Sequence, residues 1–250
     1  MITAEQLAFV LLPPLLMVGS GAIATFRAPG SALRGGILHL AAGVVFAVVA
    51  VELIPDLLRD HQPMMTIIGF AAGVVVMLAM RSLTHAKEDH ENEERESLPP
   101  DAAGSPKLPL GMLLGVAIDL AVDGLMIGIG FAAGAKEGRL LAIALAVELV
   151  SLGLAVAASL SKLGIERRRS IQLLAALSTT FIVGASGGVL LLGNLSAHNL
   201  AAVLAFGAAA LLFLVTEELL TEAHEEKETP VLTATFFAGF LAFLILGMVA

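Results

Sequence analysis

Eight long apolar stretches, separated by polar breaks, run through the sequence from end to end. Each holds about 20 residues or more, the length an α-helix needs to cross the hydrocarbon core of a bilayer. The expected spans are Glu5–Phe26, Ala32–Leu58, Pro63–His85, Leu108–Gly134, Gly138–Leu163, Arg168–Gly193, His198–His224 and Thr229–Val249. One long polar segment, "HAKEDHENEERESLPPDAAGSPK", follows the third span, and residues 86–107 read as a loop. The pattern predicts an all-α integral membrane protein, a single transmembrane domain of eight helices over residues 1–250.

Composition agrees. Of the 250 residues, 58% are hydrophobic and 14% charged, against about 45–50% and about 25% in soluble domains. With no Cys there is no disulfide framework, thiolate metal site or Cys nucleophile. With no Trp or Tyr the usual aromatic belt is missing, and the 12 Phe take part of that role. The formal net charge of −8 argues against nucleic acid as a partner and fits cation handling. The first residues, "MITAEQLAFVLLPPLLMV", lack the basic start of a signal peptide and read as a retained first span.

Basic residues orient the bundle. Breaks on one side collect 11 of the 14 Lys and Arg, among them Arg27, Arg34, Arg81, Lys162 and Arg167; the other side has Arg59, Lys136 and Arg139. The positive-inside rule then puts both termini outside and the long loop in the cytoplasm. The expected location is a prokaryotic inner or plasma membrane, with the lipid bilayer as surroundings.

The spans hold few ionisable residues, and no Lys or Arg lies deep in any of them. Asp119 and Asp123 sit in "GVAIDLAVDGLMIGIGFAAG", at i and i+4 on one face of span four. Glu148 sits mid-span in "ALAVELVSLG", on the next helix. A carboxylate at the bilayer centre costs about 2.5–3.5 kcal/mol on insertion scales and needs a partner. Two ionised neighbours repel, so they share a proton or hold a cation. Three acids on two adjacent spans point to an oxygen-lined site for a divalent ion, with no His or Cys to select zinc by softness. Three protonated acids joining helices by hydrogen bonds is the alternative.

Glu217, Glu218 and Glu222 lie lower in span seven, in "LVTEELLTEAHEE". They read as a further cation stop or as a solvated helix end; by spacing, Glu218 and Glu222 share one face and Glu217 and Thr221 another. Glu52, in "AVELIPDLL", precedes Pro55, whose missing N–H frees a nearby carbonyl; it faces a pore or caps a kink. In the polar segment, His85, Glu88, Asp89 and His90 could catch metal, against a plain solvated acidic tract. His39, His61, His198 and His224 lie near span ends, each weak as a ligand taken alone.

Together these residues resemble the ZIP family of metal transporters. The family's span-four signature, His-Asn-x-Pro-Glu-Gly, matches Asp119-Leu120-Ala121-Val122-Asp123-Gly124, followed by "LMIGIGFAAG". Its span-five motif, a polar ligand then x-x-Pro-Glu-Gly, matches Glu148-Leu149-Val150-Ser151-Leu152-Gly153. Span seven resembles the family's His-Glu-x-x-Pro-Glu segment, and "ELIPDLL" its span-two counterpart. The resemblance covers nearly the whole chain. It implies an inverted repeat of helices 1–3 and 6–8 around helices 4–5, and uptake into the cytoplasm. ZIP proteins often hold two adjacent metals. Here the first-site positions stay polar and the second-site positions are largely apolar, which implies one carboxylate-rich site. A homodimer is compatible with the family.

The expected function is transport of a divalent metal cation (Zn²⁺, Mn²⁺, Fe²⁺ or Cd²⁺) as substrate, with no separate cofactor. Asp119, Asp123 and Glu148 are the expected ligands; Glu217, Glu218 and Glu52 are further candidates. The alternatives are a cation/proton exchanger that exports, or a membrane sensor or scaffold that binds metal without moving it. No Ser-His-Asp, Cys-His or His-Glu-x-x-His arrangement suggests an enzyme.

Overall fold

A computed structural model describes residues 4–27, 30–96, 108–192, 197–224 and 229–249. All regular structure among them is helical: α1 (Ala4–Phe26), α2 (Ser31–Val48), α3 (Ile54–Asp60), α4 (Pro63–Glu96), α5 (Leu110–Ala133), α6 (Ala135–Lys162), α7 (Arg167–Leu192), α8 (Ala197–Phe213), α9 (Leu220–His224) and α10 (Pro230–Val249). Short π-helical segments join α2 to α3 (Val49–Leu53) and α8 to α9 (Leu214–Leu219), so each trio runs as one span. Among the described residues, eight helical stretches are long and apolar enough to cross a membrane, matching the eight runs of the sequence. This is an all-α integral membrane protein.

Apolar side chains cover the outside. Leu15, Ile23, Ile67, Val183 and Phe237 are all exposed, as expected where lipid rather than water is the solvent. Spans two, five and seven are the most buried; spans three and eight are the least. The buried spans are those that carry Glu52, Glu148, and Glu217 with Glu218.

Turn chemistry sets the hairpins. Gly134 alone separates α5 from α6, its N–H bonded to Gly130 O and its carbonyl accepting from Gly138 N, both at 3.0 Å. The two helices are therefore antiparallel neighbours. Gly164, at φ 74°, ends the α6 hairpin in the left-handed region that a side chain would resist.

Four helix pairs dominate the packing: α1 with α6, α5 with α7, α2 with α10, and α4 with α8. Small residues let backbones meet, as in other membrane bundles. A Cβ at Gly124 would overlap the carbonyl oxygen of Phe181 on α7, and one at Gly153 that of Met17 on α1. Ser20 adds a hydrogen bond, its Oγ donating to Val150 O at 3.0 Å.

One end of the bundle carries Arg34, Arg81, Lys162 and Arg167, where Arg167 lies over the Phe26 ring at 5.1 Å. The opposite end carries Arg59, Lys136 and Arg139. There Lys136 Nζ donates to Gly247 O at 3.1 Å, and Arg139 pairs with Glu5 at 3.0 Å. The polar segment after span three differs from the loop read in the sequence. Helix α4 continues to Glu96 through a run rich in Glu, Lys and Arg, residues of good intrinsic helix propensity. The side chains of His85, Glu88, Asp89 and His90, and the residues 97–107, fall outside those described.

Candidate metal centre

Helices α5 and α6 leave Gly134 as a tight hairpin, and that hairpin sets the site. Asp119 and Asp123 are one turn apart on α5, and Glu148 comes from the middle of α6. The structure brings all three together: one ligand oxygen from each lies within 4.8 Å of the others. Asp123 is 3% exposed and Glu148 2%, while Asp119 is half-buried. Among the described residues no ion pair involves any of them.

Two of their oxygens lack partners. Asp123 Oδ2 and Glu148 Oε2 are buried without a hydrogen bond. A buried polar atom left unpaired costs about 1–3 kcal/mol, more when charged. A cation, held by several oxygens at once, satisfies such atoms. Ser151 cannot: its Oγ donates to the main-chain carbonyl of Glu148 at 2.6 Å.

A cavity of about 240 Å³ reaches the cluster from the basic end. Asp119, Gly115, Leu152, Met77, Met80 and Met112 line it. Arg81, Glu217 and Glu218 bring charge to the same lining. The cavity is large enough for several waters at about 30 Å³ each. Glu218 lies within electrostatic reach of Asp119, Asp123 and Glu148. It lines the same cavity as Asp119.

Glu217 takes a different place. It pairs with Arg81 of α4. Glu222, one turn further, pairs with Arg34 of α2. No Lys or Arg lies deep in the spans. The long side chain of Arg81 bridges that distance, its head reaching inward from the span's end.

The π-helical turn also changes the expected faces. Thr221 Oγ1 bonds to Thr216 O, five residues back, and the widened turn holds an extra residue. A spacing of four therefore no longer decides which acids of span seven share a face.

Glu52 lies apart from the cluster. It sits on the other π segment, beside Gly247, where a Cβ would meet its Oε1 at 3.0 Å. Its charged neighbours are Lys136, Glu137, Asp56 and Arg59, all at the end opposite Arg81. Pro55, in the first turn of α3, has no N–H to give, which favours a widened turn just before it.

No protein-family model matches the chain, and no curated protein matches it.

Proposed function

We propose that this protein is a carrier for divalent metal cations, with Asp119, Asp123 and Glu148 as the membrane-embedded binding site. The observation that carries the proposal is the cluster itself: three carboxylates within 4.8 Å, inside a membrane-spanning bundle, with two orphaned oxygens. Intramembrane acids of this kind mark ion paths. Oxygen ligands alone suit hard or borderline ions such as Mn²⁺, Fe²⁺ or Zn²⁺.

In this reading the cavity is the aqueous approach. Ions pass between the cluster and the basic end through Glu218, with Glu217 and Arg81 at the mouth. Ties at the other end, Lys136 to Gly247 and Arg139 to Glu5, close that side. By the positive-inside rule the open side is the cytoplasm. Transport then requires the opposite end to open around the same site, as in alternating access.

The helix pairing supports the ZIP resemblance. Exchanging span one with six, two with seven, three with eight and four with five maps the pair of spans one and five onto six and four. It likewise maps two and eight onto seven and three. These are the four dominant pairs. The exchange also pairs span two with span seven, the two spans that hold the π segments, each ending in Glu-Leu. This is the relation expected of an inverted repeat. Leu152, where the family carries a second-site acid, lines the cavity next to Asp119, which supports a single ion.

Uptake of radioactive Mn²⁺, Zn²⁺, Fe²⁺ and Cd²⁺ into proteoliposomes tests the proposal. Saturable uptake that is lost with Asp123→Asn is the expected result. Binding without flux for every ion would reduce the protein to a metal-binding sensor or scaffold.

A further inference from the structure

Another cavity, of about 670 Å³, lies at the end of the bundle opposite Arg81 and shares no residue with the carboxylate site. Three helices wall it: α3 with Ile54 and Leu58, α4 with Ile67 and Phe70, and α8 with Ala208 and Leu212. The packing of the spans makes the gap. Only His61 and Gln62 separate α3 from α4, yet the two helices barely touch, because each packs on α8 instead. Ile54, Leu58, Ile67 and Phe70 are all exposed. The cavity is therefore continuous with the apolar exterior that lipid covers.

Size narrows the choice of occupant. An apolar cavity of about 150 Å³ takes one benzene ring. This one holds several times more, enough for the upper parts of both chains of a phospholipid. Along α4 its lining runs from Pro63 to Phe70, about 10 Å at 1.5 Å per residue. A helix about 10–12 Å across fills roughly 800–1,200 Å³ over that length, too much to sit inside.

Polarity sets the orientation. The polar lining residues, His61, Gln62 and Thr66, gather at the turn, and Thr66 Oγ1 donates to Gln62 O at 3.0 Å. Charges of both signs stand on the last turn of α3. Arg59 bonds Asp56 at 3.2 Å, but its side chain is 79% exposed, which leaves further guanidinium N–H groups for a phosphate. Asp60 is exposed beside it and suits an ammonium group. His61 closes α3 at φ 49°, in the left-handed region that glycine adopts more readily. The turn thus keeps an imidazole where glycine would fit the backbone better.

We propose that this cavity binds one zwitterionic phospholipid, with its acyl chains between α3, α4 and α8 and its headgroup at the His61 turn. By the positive-inside rule the lipid belongs to the outer leaflet. It touches both spans that carry a π segment: Ile54 directly follows one, and Leu212 shortly precedes the other. Its binding does not depend on metal transport.

The test uses the full-length protein in proteoliposomes that contain phosphatidylethanolamine with a photoactivatable diazirine in one acyl chain. Adducts are mapped by peptide mass spectrometry. Label is expected to concentrate on residues 54–70 and 208–212. Most of it should be lost in Ile67→Trp, which fills the cavity from an exposed position, while Val183→Trp, on an exposed position of α7, should change nothing. His61→Gly keeps the turn and should weaken the labelling. The same probe on phosphatidylglycerol should label these residues less. Label spread evenly over the lipid-facing helices, or unmoved by Ile67→Trp, would overturn the proposal. So would equal labelling by phosphatidylglycerol, or a chain-to-chain cross-link from a benzophenone at position 67, which would place a second copy there.

Discussion

Arg81 of α4 and Glu217 of the span-seven π segment form an ion pair at the mouth of the cavity that ends at Asp119. A fixed positive charge there opposes an approaching cation, and its pairing with Glu217 offsets part of that field. Both side chains are partly exposed, so the pair adds little to stability, within about 1 kcal/mol.

Arg81→Gln is therefore predicted to leave folding intact and to lower the KM for divalent metal. Removing one partly screened charge near the path changes ion affinity by on the order of 1 kcal/mol, roughly fivefold. Uptake kinetics at low and high salt check this, and the effect should shrink as salt rises. An unchanged KM at low salt would mean that ions do not pass Arg81.

Asp123→Asn and Glu148→Gln keep the shape of the site and remove its charge. Metal should stabilise the natural sequence by about 2.7 kcal/mol when present at a hundred times its Kd. Each variant should lose that gain, seen as a metal-dependent shift in Tm. Without metal, each variant should be at least as stable as the natural sequence, because one fewer buried carboxylate oxygen is left unpaired.

Protons and metal compete for the same oxygens. Carboxylates ligate when ionised, so affinity at the cluster is predicted to fall as pH falls and each binding event to release protons. A pH-indicator dye in weakly buffered solution reads that release directly. The release should vanish in the variant Asp119→Asn/Asp123→Asn/Glu148→Gln.

Much of this was legible in the sequence. Hydropathy is a one-dimensional signal, and the eight spans needed nothing else. Asp119, Asp123 and Glu148 could be grouped because helical spacing and a short hairpin place them together. Contacts between distant spans carry no such local mark. Arg81 and Glu217 are 136 positions apart, and Arg34 and Glu222 are 188 apart; neither pairing is encoded in a local pattern. The π turns were also hidden, since one extra residue in a uniformly apolar run leaves the hydropathy unchanged. For Glu52, depth in the span was readable, but not the end of the bundle toward which its carboxylate points.

Leu152 lines the same cavity as Asp119, so an acid there would face the same space. Leu152→Glu is predicted to raise the bound metal from one ion to two at the carboxylate centre. Mn²⁺ titration followed by equilibrium dialysis reads that number. A second ion there would support the inference that one apolar substitution separates the single site from a paired one.

The central claim is that Asp119, Asp123 and Glu148 hold one divalent ion. Anomalous diffraction from crystals grown with Mn²⁺ tests it most directly, because Mn²⁺ prefers carboxylates to imidazole. The account predicts one strong peak among these three side chains, absent in Asp123→Asn. A cluster that stays empty while Mn²⁺ binds elsewhere in the chain would contradict it.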